Sequence, residues 1–188
     1  MTARRSGGAD LIFPSRERFG KYKPNVRSAS RGRANPTERL MLSEKQPATV
    51  IKDCVGVGRA QAVWDFTTGD LRRFCDRLDL VIDALEQFQQ QDIATDFVVI
   101  LHAHATQFAA RTLSGTKFKD PEPPDFATAH ALLRRFVGLG GRVEVCGIAM
   151  ERCGITVENL IDCVVIERNV FVNSVALQSR GYAYMPVS

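Results

Sequence analysis

Hydrophobic positions along the 188-residue chain fall into two regimes. From Gln61 onward apolar residues recur with the periods of secondary structure, whereas residues 1 to about 47 follow neither the helical nor the strand period. Residues 62–66 (Ala-Val-Trp-Asp-Phe) predict a short strand closed by Thr67-Thr68-Gly69. Asp70 then predicts the cap of a helix. Its apolar stripe runs Leu71, Phe74, Leu78, Val81, Ile82, Leu85 and Phe88, with Arg72, Arg73, Arg77, Asp79, Asp83 and Glu86 off it. Residues 97–101 are an unbroken apolar run, the pattern of a strand buried on both faces. His102-Ala103-His104 follows, with a short helical stretch to about Leu113 and then a polar, proline-rich loop over 114–125.

The second half of the chain repeats this alternation. A helix is predicted over 126–139, with Leu132, Leu133, Phe136 and Val137 inward and Gly140-Gly141 as its stop. A strand at 142–146 leads into two helical turns at 147–153, ended by Gly154. A short helix at 157–161, a strand at 163–166, a helix at 169–180 and a last strand at 182–186 complete the order. Strands alternating with helices through short links predict a three-layer α/β domain over 48–188, with a mostly parallel sheet and helices on both faces.

Charge sharpens the boundary at residue 47. Residues 1–47 carry 11 Lys and Arg against 4 Asp and Glu, a net +7, while the remainder carries 14 against 17, a net −3. The overall +4 therefore belongs to the N-terminal segment, and the domain itself is mildly acidic. An Arg-, Ser-, Gly- and Pro-rich stretch of this kind buries too little surface to offset its ordering entropy, so a disordered basic tail is expected. The plain reading is a solvated extension. A weak contact with an anionic partner (nucleic acid or lipid head groups) is a second reading, and translation starting at Met41 is a third. Nucleic-acid binding would rest on the tail alone, and the acidic domain argues against it. No run of eighteen apolar residues predicts a membrane span, no apolar stretch follows Arg4-Arg5 as an export signal needs, and a cytoplasmic protein is expected.

In open parallel sheets functional groups gather beyond the carboxyl ends of the strands. Those ends are predicted to carry Asp65, His102, His104 and Cys146. Cys146 stands where a strand gives way to Gly147 and a helical turn, so helix N–H groups are expected to face its sulfur, an arrangement that favours the thiolate. The same position suits a buried small hydrophobe. Cys153 lies seven residues on, about 10 Å along a helix. It is expected on the same side as Cys146 but too far for a disulfide. Cys54, Cys75 and Cys163 read as structural. His102 and His104, two apart, would share one face of an extended chain, as a metal pair needs, yet thiolate or carboxylate partners at motif spacing are missing. The plainer reading is a polar turn in which one histidine lines the edge beside Cys146. Gly56-Val57-Gly58 precedes a strand and has Gln61 at the third glycine position, so it is no dinucleotide fingerprint. No cofactor and no metal are expected.

The segment Cys146-Gly-Ile-Ala-Met-Glu-Arg-Cys153-Gly-Ile155, placed after Gly141-Arg-Val-Glu-Val145, resembles the cysteine segment of the DsrE/DsrF-like (YchN-like) sulfur-relay proteins. The ending agrees as well, with Val164-Val165, Asn169-Val-Phe-Val172, Leu177-Gln178 and Gly181-Tyr-Ala-Tyr-Met-Pro186. The resemblance spans residues 60 to 187 and is strongest over the last fifty. It implies a flavodoxin-like layered fold, oligomeric assembly, and a sulfur carrier or sulfurtransferase-like protein. In such a protein a cysteine holds sulfane sulfur as a persulfide and exchanges it with donor or acceptor proteins, rhodanese-like or small sulfur carriers. Only Cys146 matches the sulfur-bearing position. His102, His104, Asp65, Gly147 and Cys153 are expected at its edge. The alternative is a non-catalytic oligomeric binding or scaffold module with the same fold and a packed Cys146. Two features depart from the family pattern: the 114–125 loop is longer, and the basic tail has no counterpart.

Overall fold

The computed structural model describes residues 52–118 and 126–188. The basic segment 1–47 and residues 119–125 of the 114–125 loop lie outside the described residues. Among those described, five parallel strands form one sheet: β1 (Arg59–Phe66), β2 (Ala94–Leu101), β3 (Arg142–Cys146), β4 (Val164–Glu167) and β5 (Ala183–Val187). Their spatial order is β4-β3-β2-β1-β5, so the first three strands in the chain sit centrally and the last two form the edges. The α-helices are α1 (Leu71–Gln90), α2 (Ala127–Gly138), α3 (Gly147–Cys153) and α4 (Val170–Ser179). This is the expected layered α/β fold.

Side-chain alternation along the strands divides the interior in two. Ala62 and Phe66 of β1, Phe97, Val99 and Leu101 of β2, and Val143 and Val145 of β3 enter a large core. Helices α1 and α2 seal it with Phe74, Leu78, Ile82, Leu85, Leu133 and Phe136. Val63, Val98, Ile100 and Cys146 point the other way, into a small core closed by Val170 and Leu177 of α4. Both faces of β2 are therefore buried, which is why residues 97–101 are apolar without a break. The two layers are unequal. Helix α4 packs across β3 and β5 and, with Ile148 and Ala149 from α3, is what covers the second face among the described residues.

Local chemistry sets the element ends. Asp70 Oδ1 accepts a 2.8 Å hydrogen bond from the Arg73 amide and caps α1. Asn169 does the same for α4 through the Phe171 amide. Gly154, at φ +75°, closes α3 in the left-handed conformation that an L side chain resists. The helical stretch expected after His102 proves to be a 3-10 helix, Ala103–Ala109, rather than an α-helix. Its tighter winding brings Phe108 onto Phe74, with ring centroids 4.3 Å apart, and this aromatic pairing in the large core overrides helix propensity. The segment expected as a short helix at 157–161 is likewise 3-10, limited to Val157–Asn159.

Candidate functional site

The strand register places the candidate residues. Leu101 pairs with Val145 and Cys146 with Glu167, so His102 stands one step beyond β2 beside Cys146 at the end of β3. The backbone amide of His102 donates to Phe66 O and continues the ladder at that point. Because side chains alternate, His102 follows Val98 and Ile100 onto the small-core face, where Cys146 also points. Asp65 follows Val63 onto the same face, one pleat back on β1. Asp65, His102, Cys146 and Glu167 thus form a row across four adjacent strands at the carboxyl edge of the sheet.

Two side chains in that row are locked together. His102 Nε2 lies 2.7 Å from Asp65 Oδ1, and both side chains are largely buried. Tyr184, on β5, donates its hydroxyl to Asp65 Oδ2. Burial opposes ionisation of Asp65, but the bonds from His102 and Tyr184, together with the His102 charge, prevail and hold its carboxyl below the ordinary value. The reciprocal effect on Tyr184 is large: its bond to Asp65, then burial and the carboxylate charge, push the phenol up to about 12. On the far side of His102, Phe171 meets the imidazole edge-on, with centroids 5.2 Å apart. Neighbouring Val170 packs in the cluster that holds Cys146. The first turn of α4 therefore meets the imidazole and joins the apolar cluster of the thiol.

Cys146 is 4% exposed and is the N-cap residue of α3. No hydrogen bond from an α3 amide reaches its side chain, so the expectation that helix N–H groups face the sulfur is not met. The seven-residue helix begins at Gly147, whose added Cβ would touch Arg168 and Ile166 at 3.4 Å. Behind the thiol on the same strand, buried Glu144 is held by Arg142 Nε at 2.8 Å and by the side-chain amide of Asn173 from α4. On the other side of the β3–α3 junction, Gly147, Met150, Ile155, Val157, Ile166 and Arg168 are among the residues lining an open groove of about 430 Å³.

Two expected neighbours lie elsewhere. Ala103 adopts φ +50°, which breaks the extended chain between the two histidines. His102 consequently turns to Asp65, while His104 is exposed, with its ring 6.3 Å from that of Phe118. The shared face that a metal pair would need is not formed. Among the described residues no group of three His, Cys, Asp or Glu side chains is placed to hold a metal ion. Cys153 packs against the large core on the opposite side of the sheet from Cys146. Seven residues do return to one face of a helix, but Cys146 is extended (φ −70°, ψ 113°) and stands outside that period. Burial raises the Cys153 thiol, with Lys117 opposing, and burial also raises Cys75 and Cys163. All five cysteines are free.

Sequence reasoning did not find Tyr184, Phe171 or the Glu144–Asn173 pair. Alternation of Tyr182 and Tyr184 in the last strand marks them as sharing a face, yet nothing in the chain says that β5 pairs with β1. No described helix is long and apolar enough to cross a membrane.

Comparison with known proteins agrees with this architecture. An uncharacterized protein of Aquifex aeolicus (strain VF5) is 27% identical over 128 residues, which is 67% of this chain and 55% of the relative, so the chain spans about half of that protein. The structure of MTH1491 from Methanobacterium thermoautotrophicum, a protein of unknown function, superimposes with a TM-score of 0.51 at 15% identity, covering 68% of this chain and 98% of that one. The ychN protein of E. coli gives 0.46 at 15% identity, covering 67% and 98%. The model of the DsrE/DsrF-like family matches residues 76–187, which include β2 to β5 and Cys146. The chain belongs to the DsrE/DsrF-like family.

Proposed function

We propose that the protein is a cytoplasmic sulfur carrier, with sulfurtransferase-like chemistry, that holds sulfane sulfur as a persulfide on Cys146 and passes it to a partner thiol. The observation that carries this reading is the place of Cys146: a free thiol at the carboxyl edge of a central strand, in one row with the Asp65–His102 pair. Family membership supports a role in sulfur relay. The chemistry is thiol exchange with no cofactor. The thiolate attacks the outer sulfur of a donor persulfide, the donor thiol leaves, and the next thiol repeats the exchange. Donor and acceptor would be proteins such as rhodanese-like enzymes or small sulfur carriers.

The second reading, a non-catalytic oligomeric binding module, rests on the burial of Cys146 among Val63, Val98, Ile100 and Val170. Either reading includes a homo-oligomer. Phe171, Val172 and Val175 of α4 are exposed on the thinly covered face, as is Val165 of β4, and a second copy would cover them. Intact-mass analysis after incubation with a persulfide donor separates the two. Gain of one reducible sulfur by the wild type and not by Cys146→Ser supports the carrier, with Cys153→Ser loading normally. No gain by the wild type, with Cys146 also unreactive to alkylation in the folded protein, leaves the binding module.

A further inference from the structure

We infer that His102 is the general base that activates Cys146, with Asp65 and Tyr184 as the positioning residues that orient it. The inference rests on the reading of Cys146 as a nucleophile and assigns the machinery that would make it one. Three observations converge. Adjacent parallel strands lie about 4.8 Å apart, and the register sets His102 beside Cys146 on the same face. The first turn of α4 packs on this same face, with Phe171 edge-on to the imidazole and Val170 in the apolar cluster that holds Cys146. The imidazole is also held: Nε2 lies 2.7 Å from Asp65 Oδ1 as a close ion pair, off the line of a well-formed hydrogen bond.

That contact favours one tautomer. A carboxylate at Nε2 keeps the proton there, and Nδ1 is left as the basic nitrogen. Asp65 stays ionised because Tyr184 donates to its other oxygen. The charged groups nearest the thiol in the register are Glu167 of β4, beside it, and Glu144 one pleat back on its own strand, the latter paired with Arg142.

The step balances without an oxidant. Cys146 S–H gives its proton to His102 Nδ1. The thiolate sulfur then forms a bond to the outer sulfur of a donor persulfide R–S–SH, while the donor's S–S bond breaks. The departing R–S⁻ takes the proton back from Nδ1, which leaves R–SH and Cys146–S–SH.

Two experiments on the full-length protein test this, and neither needs sulfur loading, so a failed relay and a failed base are distinguishable. The first is the alkylation rate of Cys146 at pH 7, followed by peptide mapping. In His102→Asn it should fall roughly a hundredfold or more, from the low end of what a positioned base supplies upward. In His102→Gly, added imidazole should restore it, a response that a merely structural histidine would not give. The second is geometric: in His102→Cys, oxidation should give a disulfide to Cys146, because bridged Cα atoms lie about 4.4–6.8 Å apart. A smaller fall, no rescue by imidazole, or no disulfide in the folded variant would each overturn the assignment. Should the His102 variants not fold, Asp65→Asn and Tyr184→Phe carry the test, and Cys146 reactivity equal to wild type in both overturns it.

Discussion

Tyr184, on the edge strand β5, donates its hydroxyl to Asp65 on β1 and ties the last strand of the chain to the residue that orients His102. The bond has a pH signature on both sides. Tyr184 is raised to about 12 in the folded protein, against about 10 in the unfolded chain. A group raised on folding contributes stability that is complete below its unfolded value and is lost as pH climbs through the folded one. Stability should therefore decline between about pH 10 and pH 12. Denaturant unfolding of Tyr184→Phe should show that part of the alkaline slope removed.

Asp65 runs in the opposite sense. Its carboxyl is held below the ordinary value, so its contribution is present above the unfolded value and is lost as pH falls through the lower, folded one. Asp65→Asn should cost about 1.5–3 kcal/mol near neutral pH, the range for hydrogen bonds to a charged group. It should also flatten the acid limb of a stability profile measured by chemical denaturation. Equal acid slopes in variant and wild type would show that Asp65 does not sense folding.

Cys75, Cys153 and Cys163 should be poor nucleophiles. Burial raises Cys75, helped by Asp76; burial raises Cys163 and, against Lys117, Cys153. The thiolate is the reactive form. Differential alkylation at pH 7 should thus label these three more slowly in the folded than in the denatured chain. Rapid labelling of Cys153 would put a second reactive thiol on the large-core side and weaken the case for a carrier with one loading site.

How much of this was legible in the chain differs between fold and site. The strand at Arg142–Cys146 and the helix at Gly147–Cys153 have the boundaries their periodicity predicts, because Gly147 and Gly154 punctuate them at each end. Asp70 acts as the expected cap, while Asn169, expected inside its helix, caps it instead. The site was only half legible. That Asp65, His102 and Cys146 end strands is visible in sequence, but that they share one face follows from register, which depends on which strands pair. The divergence of His102 and His104 turns on the positive φ of Ala103, a residue with no special tendency toward that conformation. The separation of Cys146 from Cys153 likewise turns on one extended residue.

Gly141 shows where packing leaves no room. A Cβ added there would lie 2.4–2.7 Å from the ring of Phe136, which is fully buried between α2 and the sheet. The ring cannot retreat without displacing neighbours in the large core. Gly141→Ala should cost about 1–3 kcal/mol, read as a lower denaturant midpoint with an unchanged slope. A neutral result would mean that the turn after α2 gives way instead.

The thin layer on the second face yields the last prediction. Helix α4 buries Val170, Ser174 and Leu177 against the sheet and leaves Val172 and Val175 about two-thirds exposed on its outer side. An isolated surface valine tolerates a charge, with changes usually within about 0.5 kcal/mol. Inside an interface between copies, the same charge would have to be buried unpaired, which is costly. Val175→Lys should therefore leave the unfolding curve of the protomer nearly unchanged while shifting sedimentation toward a smaller species. A wild type that already sediments as a monomer would remove the homo-oligomer from the proposed function and leave the face to a different protein. A variant that keeps the wild-type size would move the interface off α4, toward the exposed side chains of the edge strands β4 and β5.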